Sequence, residues 1–174
     1  MDITSRIKMI QMLLLDVDGV LTSGEIIYSD SGEEIKIFDV KDGVGIRMLR
    51  EAGLLVGIIT GRKGAALRHR CQNLGIETIF EGVRDKAKLL DRIVSQNKVP
   101  LNALAFIGDD LPDLAIMKKV GLAVAVADAH ELIRQNAHLI TRARGGRGAV
   151  REICDTILKA QGKWDALIKR LFHG

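Results

Sequence analysis

Aromatic residues and cysteine are scarce in this chain of 174 residues. Phe, Trp and Tyr together make up 3% of it, too few for the base-stacking platforms with which proteins bind single-stranded nucleic acid. The two cysteines, Cys71 and Cys154, lie far apart and outside any C-x-x-C pattern, which argues against a disulfide framework and a zinc site. This cysteine usage, together with the lack of a signal peptide, predicts a reducing, cytoplasmic location.

Charge of one sign is not in large excess, and long apolar runs are missing. Lys and Arg number 26 against 22 Asp and Glu, a net charge of +4, which favours anionic small molecules but is too diffuse to predict binding to DNA or RNA. The segment from Thr141 onward alone carries +5. No stretch approaches the ~20 apolar residues of a membrane span. With 47% apolar residues, the chain is predicted to form a single domain over residues 1–174.

Short apolar runs alternate with amphipathic segments along most of the chain. This alternation predicts an α/β fold with a mainly parallel central sheet and helices on both faces. Glycine follows two of the amphipathic segments, as is typical of helix ends. The predicted strands are 9–15, 54–59, 76–80, 103–107 and 122–127, and the predicted helices are 42–52, 63–74, 86–97 and one that begins near Pro112.

One segment, 25–39, departs from this alternation and reads as a β-hairpin with a turn that contains Gly32. Ile35 and Ile37 are predicted to share one face, with Lys36 and Phe38 on the other. Because an isolated hairpin is only marginally stable in water, we expect it to pack on the body of the protein or on a partner chain. The segment 141–174 is predicted to form a Gly/Arg-rich loop, a terminal helix and a basic tail.

Polar side chains follow the predicted strands at the points where they end. Because the carboxyl ends of parallel strands meet at one edge of a sheet, we expect these side chains to lie together. Carboxylates that share a cleft need a cation or shifted pKa values to coexist, and an all-oxygen site suits Mg²⁺. The candidate site residues are Asp16, Asp18, Thr60, Gly61, Arg62, Lys86, Asp109, Asp110 and Asp113.

These residue types provide the parts needed for phosphoryl transfer. Mg²⁺, a lysine and a threonine hydroxyl can hold a phosphoryl group, and a carboxylate can attack it to form an aspartyl phosphate. A second carboxylate two residues later can protonate the leaving oxygen and then accept a proton from water.

The same residues, in this order, resemble the four motifs of the haloacid dehalogenase-like phosphatases. The motifs are Asp16-x-Asp18-Gly-Val, Ile-Thr60-Gly-Arg, Asp-Lys86 and Gly-Asp109-Asp110-x-x-Asp113. The resemblance implies a Rossmann-like fold. It also implies Asp16 as the nucleophile, Asp18 as the general acid and base, and Thr60 and Lys86 as phosphate-binding catalytic residues. The dehalogenases of the superfamily lack the second aspartate, so Asp18 argues against dehalogenation.

The resemblance also implies a magnesium site and a substrate-binding segment. The metal ligands would be Asp16, the Asp18 backbone carbonyl and Asp109, with Asp110 as a further candidate. Asp113 would orient Lys86. Substrate and phosphate would contact Thr60, Gly61, Arg62 and Lys86.

Almost the whole chain further resembles the capless phosphatases of 3-deoxy-D-manno-octulosonate 8-phosphate, which serve the synthesis of the lipopolysaccharide inner core. Matching segments include Asp42-Gly-Val-Gly45-Ile46 and Gly145-Gly-Arg-Gly-Ala-Val-Arg-Glu152. The resemblance implies a homotetramer assembled through the hairpins, in which a neighbouring subunit helps to close each active site.

Several alternatives remain at the level of the sequence. A related phosphatase class acts on a nine-carbon sialic-type sugar acid 9-phosphate and tends to carry Glu where Arg62 stands, so Arg62 favours the octulosonate. A phosphotransferase and a non-catalytic module on the same fold are alternatives of other classes. Arg62 could bind a substrate carboxylate or form a surface ion pair. The loop Gly145–Gly148 could bring Arg147 to a phosphate or to a neighbouring subunit's site, or it could be a plain turn.

Overall fold

A six-stranded parallel sheet forms the centre of the protein, whose structure, a computed structural model, describes residues 2–172. The sheet has the strand order β5-β4-β1-β6-β7-β8, while β2 and β3 form a separate antiparallel hairpin. This architecture confirms the predicted α/β fold class. The strands are β1 (Met12–Leu15), β2 (Ile27–Tyr28), β3 (Glu34–Ile35), β4 (Leu55–Ile59), β5 (Thr78–Phe80), β6 (Leu104–Gly108), β7 (Leu122–Ala125) and β8 (Leu139–Ile140).

Helices cover both faces of this sheet. The strands β1, β6 and β7 are completely buried, which is why they are apolar almost throughout rather than alternating. No helix among residues 2–172 is long and apolar enough to cross a membrane. The helices are α1 (Ile3–Lys8), α2 (Val40–Glu51), α3 (Ala65–Leu74), α4 (Leu90–Asn97), α5 (Leu114–Met117), α6 (Glu131–Asn136), α7 (Ala149–Ala160) and α8 (Trp164–Phe172), with 3₁₀ turns at Lys86–Leu89, Leu101–Ala103 and Leu111–Asp113.

Local sequence signals set the ends of several helices. Asp39 caps α2 by accepting a hydrogen bond from the Lys41 N–H at 2.6 Å, and Gly75 ends α3 in the left-handed conformation with φ 67°. At the start of α7, the Arg151 N–H donates to Asp42 Oδ1 at 2.7 Å. The Asp42 side chain on α2 therefore accepts a hydrogen bond from one of the N–H groups that have no partner within α7, and it links the two helices.

The structure corrects several predicted boundaries. Residues 9–11 are not part of the first strand, because Met9 is the C-cap of α1. The helix predicted at 86–97 begins as a 3₁₀ turn. The segment 141–174 contains two helices rather than one, separated by Gly162 at φ 67°. Two-residue β8 and six-residue α1 were not predicted, because elements this short carry little periodicity.

The hairpin is present, although its paired strands are shorter than predicted. Ile27 pairs with Ile35 and Tyr28 with Glu34. Ile35 and Ile37 are 48% and 63% exposed, whereas the Lys36 side chain is only 4% exposed and Phe38 packs against the core. The predicted division of the two faces is thus confirmed, and the charged face turns toward the sheet edge described next.

Candidate active site

All nine candidate residues line one cavity of about 550 Å³ at the carboxyl edge of the sheet. Asp16 directly follows β1, Thr60 follows β4 and Asp109 follows β6. These three strands are neighbours in the sheet, so their ends converge as expected for a ligand site in an open parallel sheet. Gly24, Val83, Arg84 and Pro112 complete the lining.

Lys86 lies at the bottom of this cavity between two carboxylates. Its Nζ is 2.8 Å from Asp16 Oδ1 and 2.5 Å from Asp113 Oδ1, and its side chain is 4% exposed. The ring of Phe106 lies below, with its centroid 5.6 Å from Nζ. Burial alone would lower the pKa of Lys86, but the charges of Asp16 and Asp113 outweigh it and the net pKa is raised. Lys86 is therefore a fixed positive charge beside the Asp16 carboxylate.

Asp113 orders the neighbouring loop as well as Lys86. Its Oδ2 accepts a hydrogen bond from the Asp109 N–H at 3.0 Å, and only 1% of the residue is exposed. A Cβ at position 108 would lie 2.3 Å from Asp113 Oδ2, so Gly108 is needed for this close approach. The predicted support role of Asp113 toward Lys86 matches these contacts.

Three acidic side chains crowd together in the cavity. One carboxylate oxygen from each of Asp16, Asp109 and Asp113 lies within 4.8 Å of the other two. The pKa of Asp16 is raised to about 6, mainly by burial and secondly by the charge of Asp113. The pKa of Asp109 is raised to about 8, mainly by burial and then by the charges of Asp16 and Asp113. Oxygen donors that repel one another in this way fit a divalent cation such as Mg²⁺, which would relieve the repulsion.

Two predicted metal ligands lie outside this group of three. Asp110 is exposed, and the Asp18 carboxylate is turned to Lys36. The ligand role assigned to Asp18 rests on its backbone carbonyl, so its side-chain contact leaves that prediction open. The roles of Asp18 and Asp110 at the metal therefore stay predictions, as do those of Asp16 and Asp109, whose carboxylates lie close enough to share a cation.

The residues at the end of β4 form the opposite wall. Thr60 is 1% exposed, and its Oγ1 accepts a hydrogen bond from the Arg62 N–H at 3.3 Å. It is not the cap of α3, whose N-cap is Gly64. Arg62 is 38% exposed at its side chain and lies 3.3 Å from Glu34 Oε2. Its guanidinium therefore forms an ion pair at the mouth of the cavity, which is one of the two roles that the sequence left open, and binding of a substrate carboxylate stays a prediction.

The sequence-based candidates did not include Glu34 and Lys36. Lys36 pairs with Asp18 and, at 2.7 Å, with Glu34 Oε1. The alternation of the hairpin indicated that Lys36 lies opposite Ile35 and Ile37. Nothing in the sequence indicated that this face meets Asp18, because the contact depends on how the hairpin folds back over the sheet.

The Gly/Arg-rich loop packs against the loop that follows Asp18. A Cβ at Gly145 would lie 1.7 Å from the Gly19 carbonyl oxygen, and one at Gly146 would lie 2.4 Å from the Ser23 nitrogen. The Gly146 N–H also donates to the Val20 carbonyl at 2.8 Å. The two glycines thus allow close packing against the loop that follows Asp18, and Arg147 is not among the residues that line the cavity.

A second cavity, of about 650 Å³, lies at the opposite end of the sheet. Its lining includes Lys8, Lys98 and Lys163 but no acidic residue. It therefore lacks the carboxylates that metal binding and nucleophilic attack on phosphorus require.

Comparison with known proteins agrees with this arrangement. The family model of haloacid dehalogenase-like hydrolases matches residues 76–153. The protein named 3-deoxy-D-manno-octulosonate 8-phosphate phosphatase KdsC of Escherichia coli strain K12 is 46% identical over 164 residues, which cover 94% of this chain and 87% of the relative.

Solved structures show the same similarity. The phosphatase of that name from Yersinia pestis is 46% identical with a TM-score of 0.91, over 93% of this chain and 88% of the other. The Moraxella catarrhalis phosphatase, solved in complex with magnesium, phosphate and KDO, is 41% identical with a TM-score of 0.93, over 96% of both chains. With identity of this level over nearly its full length, the chain belongs to the haloacid dehalogenase-like hydrolases, in the family of the 3-deoxy-D-manno-octulosonate 8-phosphate phosphatases.

Proposed function

We propose that this protein is a phosphatase that hydrolyses 3-deoxy-D-manno-octulosonate 8-phosphate to the free sugar acid and phosphate, with Mg²⁺ as cofactor. The observation that carries the proposal is the convergence of Asp16, Asp18, Thr60, Lys86 and Asp109 in one cavity. The family to which the chain belongs supports the choice of substrate. Such an enzyme would act in the cytoplasm, in the synthesis of the lipopolysaccharide inner-core sugar.

The proposed reaction starts with attack of an Asp16 carboxylate oxygen on phosphorus. The bond between phosphorus and the sugar oxygen breaks, and Asp18 gives its proton to that leaving oxygen. Water then attacks the aspartyl phosphate while Asp18 takes up its proton, which releases phosphate and restores Asp16. Both halves of the reaction use the same two side chains, because the acid of the first step is the base of the second.

The remaining residues hold the phosphoryl group. Lys86, next to Asp16, and the Thr60 hydroxyl would bind its oxygens as charge moves onto them. Asp16 and Asp109 would hold Mg²⁺ together with the Asp18 carbonyl, and the ion supplies positive charge that screens the carboxylates from the phosphate. Arg62, at the mouth of the cavity, is placed to bind the carboxylate of the sugar acid with its planar guanidinium.

We also propose that the chain works as one domain that assembles into a homotetramer through segment 25–39. The hairpin exposes Ile26, Tyr28, Ile35 and Ile37 by 48% or more, which is unusual for adjacent apolar residues of a monomer. Light scattering is expected to give four times the chain mass of 19.1 kDa, and Ile37→Asp is expected to lower the assembly state. A wild-type monomer would refute the tetramer without affecting the proposed chemistry.

The proposed reaction is tested by phosphate release with and without Mg²⁺. The substrates are the octulosonate 8-phosphate, a nine-carbon sugar acid 9-phosphate and simple hexose phosphates. We expect a strong preference for the first, strict dependence on Mg²⁺, and a loss on the order of 10⁴-fold or more in Asp16→Asn. Preference for the nine-carbon acid would refute the substrate but not the mechanism, and full activity of Asp16→Asn would refute the covalent mechanism.

A further inference from the structure

Four charged side chains form a closed ring at the mouth of the cavity. Lys36 Nζ contacts Asp18 Oδ1 and lies 2.7 Å from Glu34 Oε1. Glu34 Oε2 lies 3.3 Å from Arg62 Nη2, and Arg62 Nε lies 4.0 Å from Asp18 Oδ2. We call Asp18, Lys36, Glu34 and Arg62 the charge ring. Two of its members belong to the hairpin and two to the proposed catalytic and substrate-binding segments.

The position of Lys36 in this ring is unusual for a hairpin lysine. Its side chain is 4% exposed, although the apolar neighbours Ile35 and Ile37 are 48% and 63% exposed. A buried ammonium is costly unless it is paired, and Lys36 has a carboxylate on each side. The hairpin thus directs its charged face to the active site of its own chain, while its apolar face points outward.

Lys36 also supplies the hydrogen bond that holds the Asp18 side chain. Within residues 2–172, the Asp18 carboxylate accepts a hydrogen bond from Lys36 and from no other residue. At 4.0 Å, the Arg62 Nε is too far to be a second donor. Among the described residues, this hydrogen bond and the ion pair with Arg62 at 4.0 Å are the side-chain contacts that orient the Asp18 carboxylate.

We infer that Lys36 is a positioning residue that holds one oxygen of Asp18 so that the other faces the leaving oxygen of the substrate, and that Glu34 fixes Lys36 and Arg62 in register. The inference rests on the proposed function. It predicts a specific defect when Lys36 is replaced, since the two proton transfers by Asp18, to the leaving oxygen and later from the attacking water, depend on that orientation. Formation of the aspartyl phosphate from a substrate whose leaving group needs no proton does not.

Two substrates with different leaving groups separate these cases. An alkyl phosphate such as the octulosonate 8-phosphate needs a proton on its leaving oxygen. The leaving group of p-nitrophenyl phosphate is a stable phenolate and needs none. General acid catalysis is typically worth about 10²–10⁴-fold. We expect Lys36→Met to lower kcat/KM on the alkyl phosphate by about 10–100-fold, with a much smaller loss of kcat/KM on p-nitrophenyl phosphate. The ratio kcat/KM covers the steps up to departure of the leaving group, whereas kcat also includes hydrolysis of the aspartyl phosphate, in which Asp18 is the base for both substrates.

Matched variants complete the experiment. Lys36→Arg keeps a donor beside Asp18 and is expected to recover most of the activity on the alkyl phosphate. Lys41→Met makes the same chemical change at an exposed lysine of α2 and is expected to leave both activities unchanged. Equal losses of kcat/KM in Lys36→Met on both substrates would overturn the inference in favour of a structural role, and unchanged kcat/KM on both would show that Lys36 does not position Asp18.

The inference and the proposed function fail in different ways. Wild-type protein that is inactive on the octulosonate 8-phosphate, but active on p-nitrophenyl phosphate and a simple sugar phosphate, would refute the proposed substrate. The ratio of the two losses in Lys36→Met is then measured on those two phosphates, and it supports or overturns the role of Lys36 independently of the natural substrate.

Discussion

In the absence of divalent cations, we expect the free energy of unfolding to fall as the pH rises from 5 to 8.5. Burial, with the charges of Asp16 and Asp113, raises the pKa of Asp109 to about 8, compared with an ordinary value of 3.8. A carboxyl whose pKa is higher in the folded than in the unfolded chain stabilises the fold while it is protonated. This contribution is lost as the pH rises through the folded pKa.

The expected change in the free energy of unfolding follows from the difference between the folded and unfolded pKa values of Asp109. Between pH 5 and pH 8, Asp109 would be protonated in the folded protein and ionised in the unfolded one, which corresponds to about 4 kcal/mol at about 1.4 kcal/mol per pH unit. Because Asp109 is partly exposed, solvent screening lowers this contribution, and we expect about 2 kcal/mol. Asp16, whose pKa burial raises to about 6, acts in the same direction at the lower end of this range.

Urea unfolding in the presence of a chelator, at pH 5 and at pH 8.5, measures the effect. Mg²⁺ binds the ionised carboxylates, so it should raise the midpoint more at pH 8.5 than at pH 5. Asp109→Asn is the control: it should be more stable than wild type at pH 8.5 without Mg²⁺ and should gain less from the ion. Burial lowers the pKa of His138, which opposes the trend equally in both proteins.

Two results would refute this reasoning. Metal-free stability that stays constant or increases between pH 5 and 8.5 would show that the carboxylates do not repel one another in the folded protein. The same pH dependence in Asp109→Asn as in wild type would show that it originates outside the site.

Four further substitutions test the supporting structure by urea unfolding. Leu14→Ala, in a strand with no exposure, should destabilise the protein by about 2–5 kcal/mol, and a loss below 1 kcal/mol would contradict the packing. Gly145→Ala should reduce both stability and activity, because its Cβ would meet the backbone of Gly19. Gly162→Ala, with open space around it but a φ of +67°, should cost about 1–2 kcal/mol from backbone strain alone. Asp42→Asn should weaken the pH dependence between 4 and 6, because burial raises the pKa of Asp42 to about 6; an unchanged profile would contradict this.

The parallel sheet and the location of the active site could be predicted from the sequence. Runs such as 103–107 are apolar throughout because both faces of the sheet are covered, and the acidic residues after them come at strand ends. Because the three strands run parallel, the residues at their ends, Asp16, Thr60 and Asp109, meet at the carboxyl edge of the sheet. These are local signals, since each depends on the few residues around a strand end.

Contacts between distant segments could not be predicted in this way. The segment Gly145–Gly148 suggested either a loop that brings Arg147 to a phosphate or a neighbouring site, or a plain turn. The structure shows a turn, and its glycines allow two loops to pack closely. Asp110 and Asp113 both follow β6, and the sequence did not show which of them is buried. In the structure, Asp110 lies before the 3₁₀ turn and is exposed, whereas Asp113 ends the turn and is buried beside Lys86.

The sequence by itself determined which residue types reach the carboxyl edge of the sheet, because each strand and the polar residues at its end are specified by a few consecutive residues. The tertiary structure decided how they are paired. Lys36 is 18 residues from Asp18 along the chain, and Lys86 is 27 residues from Asp113. Such pairs form only when the hairpin folds back and the strands take their order in the sheet, so no local pattern specifies them.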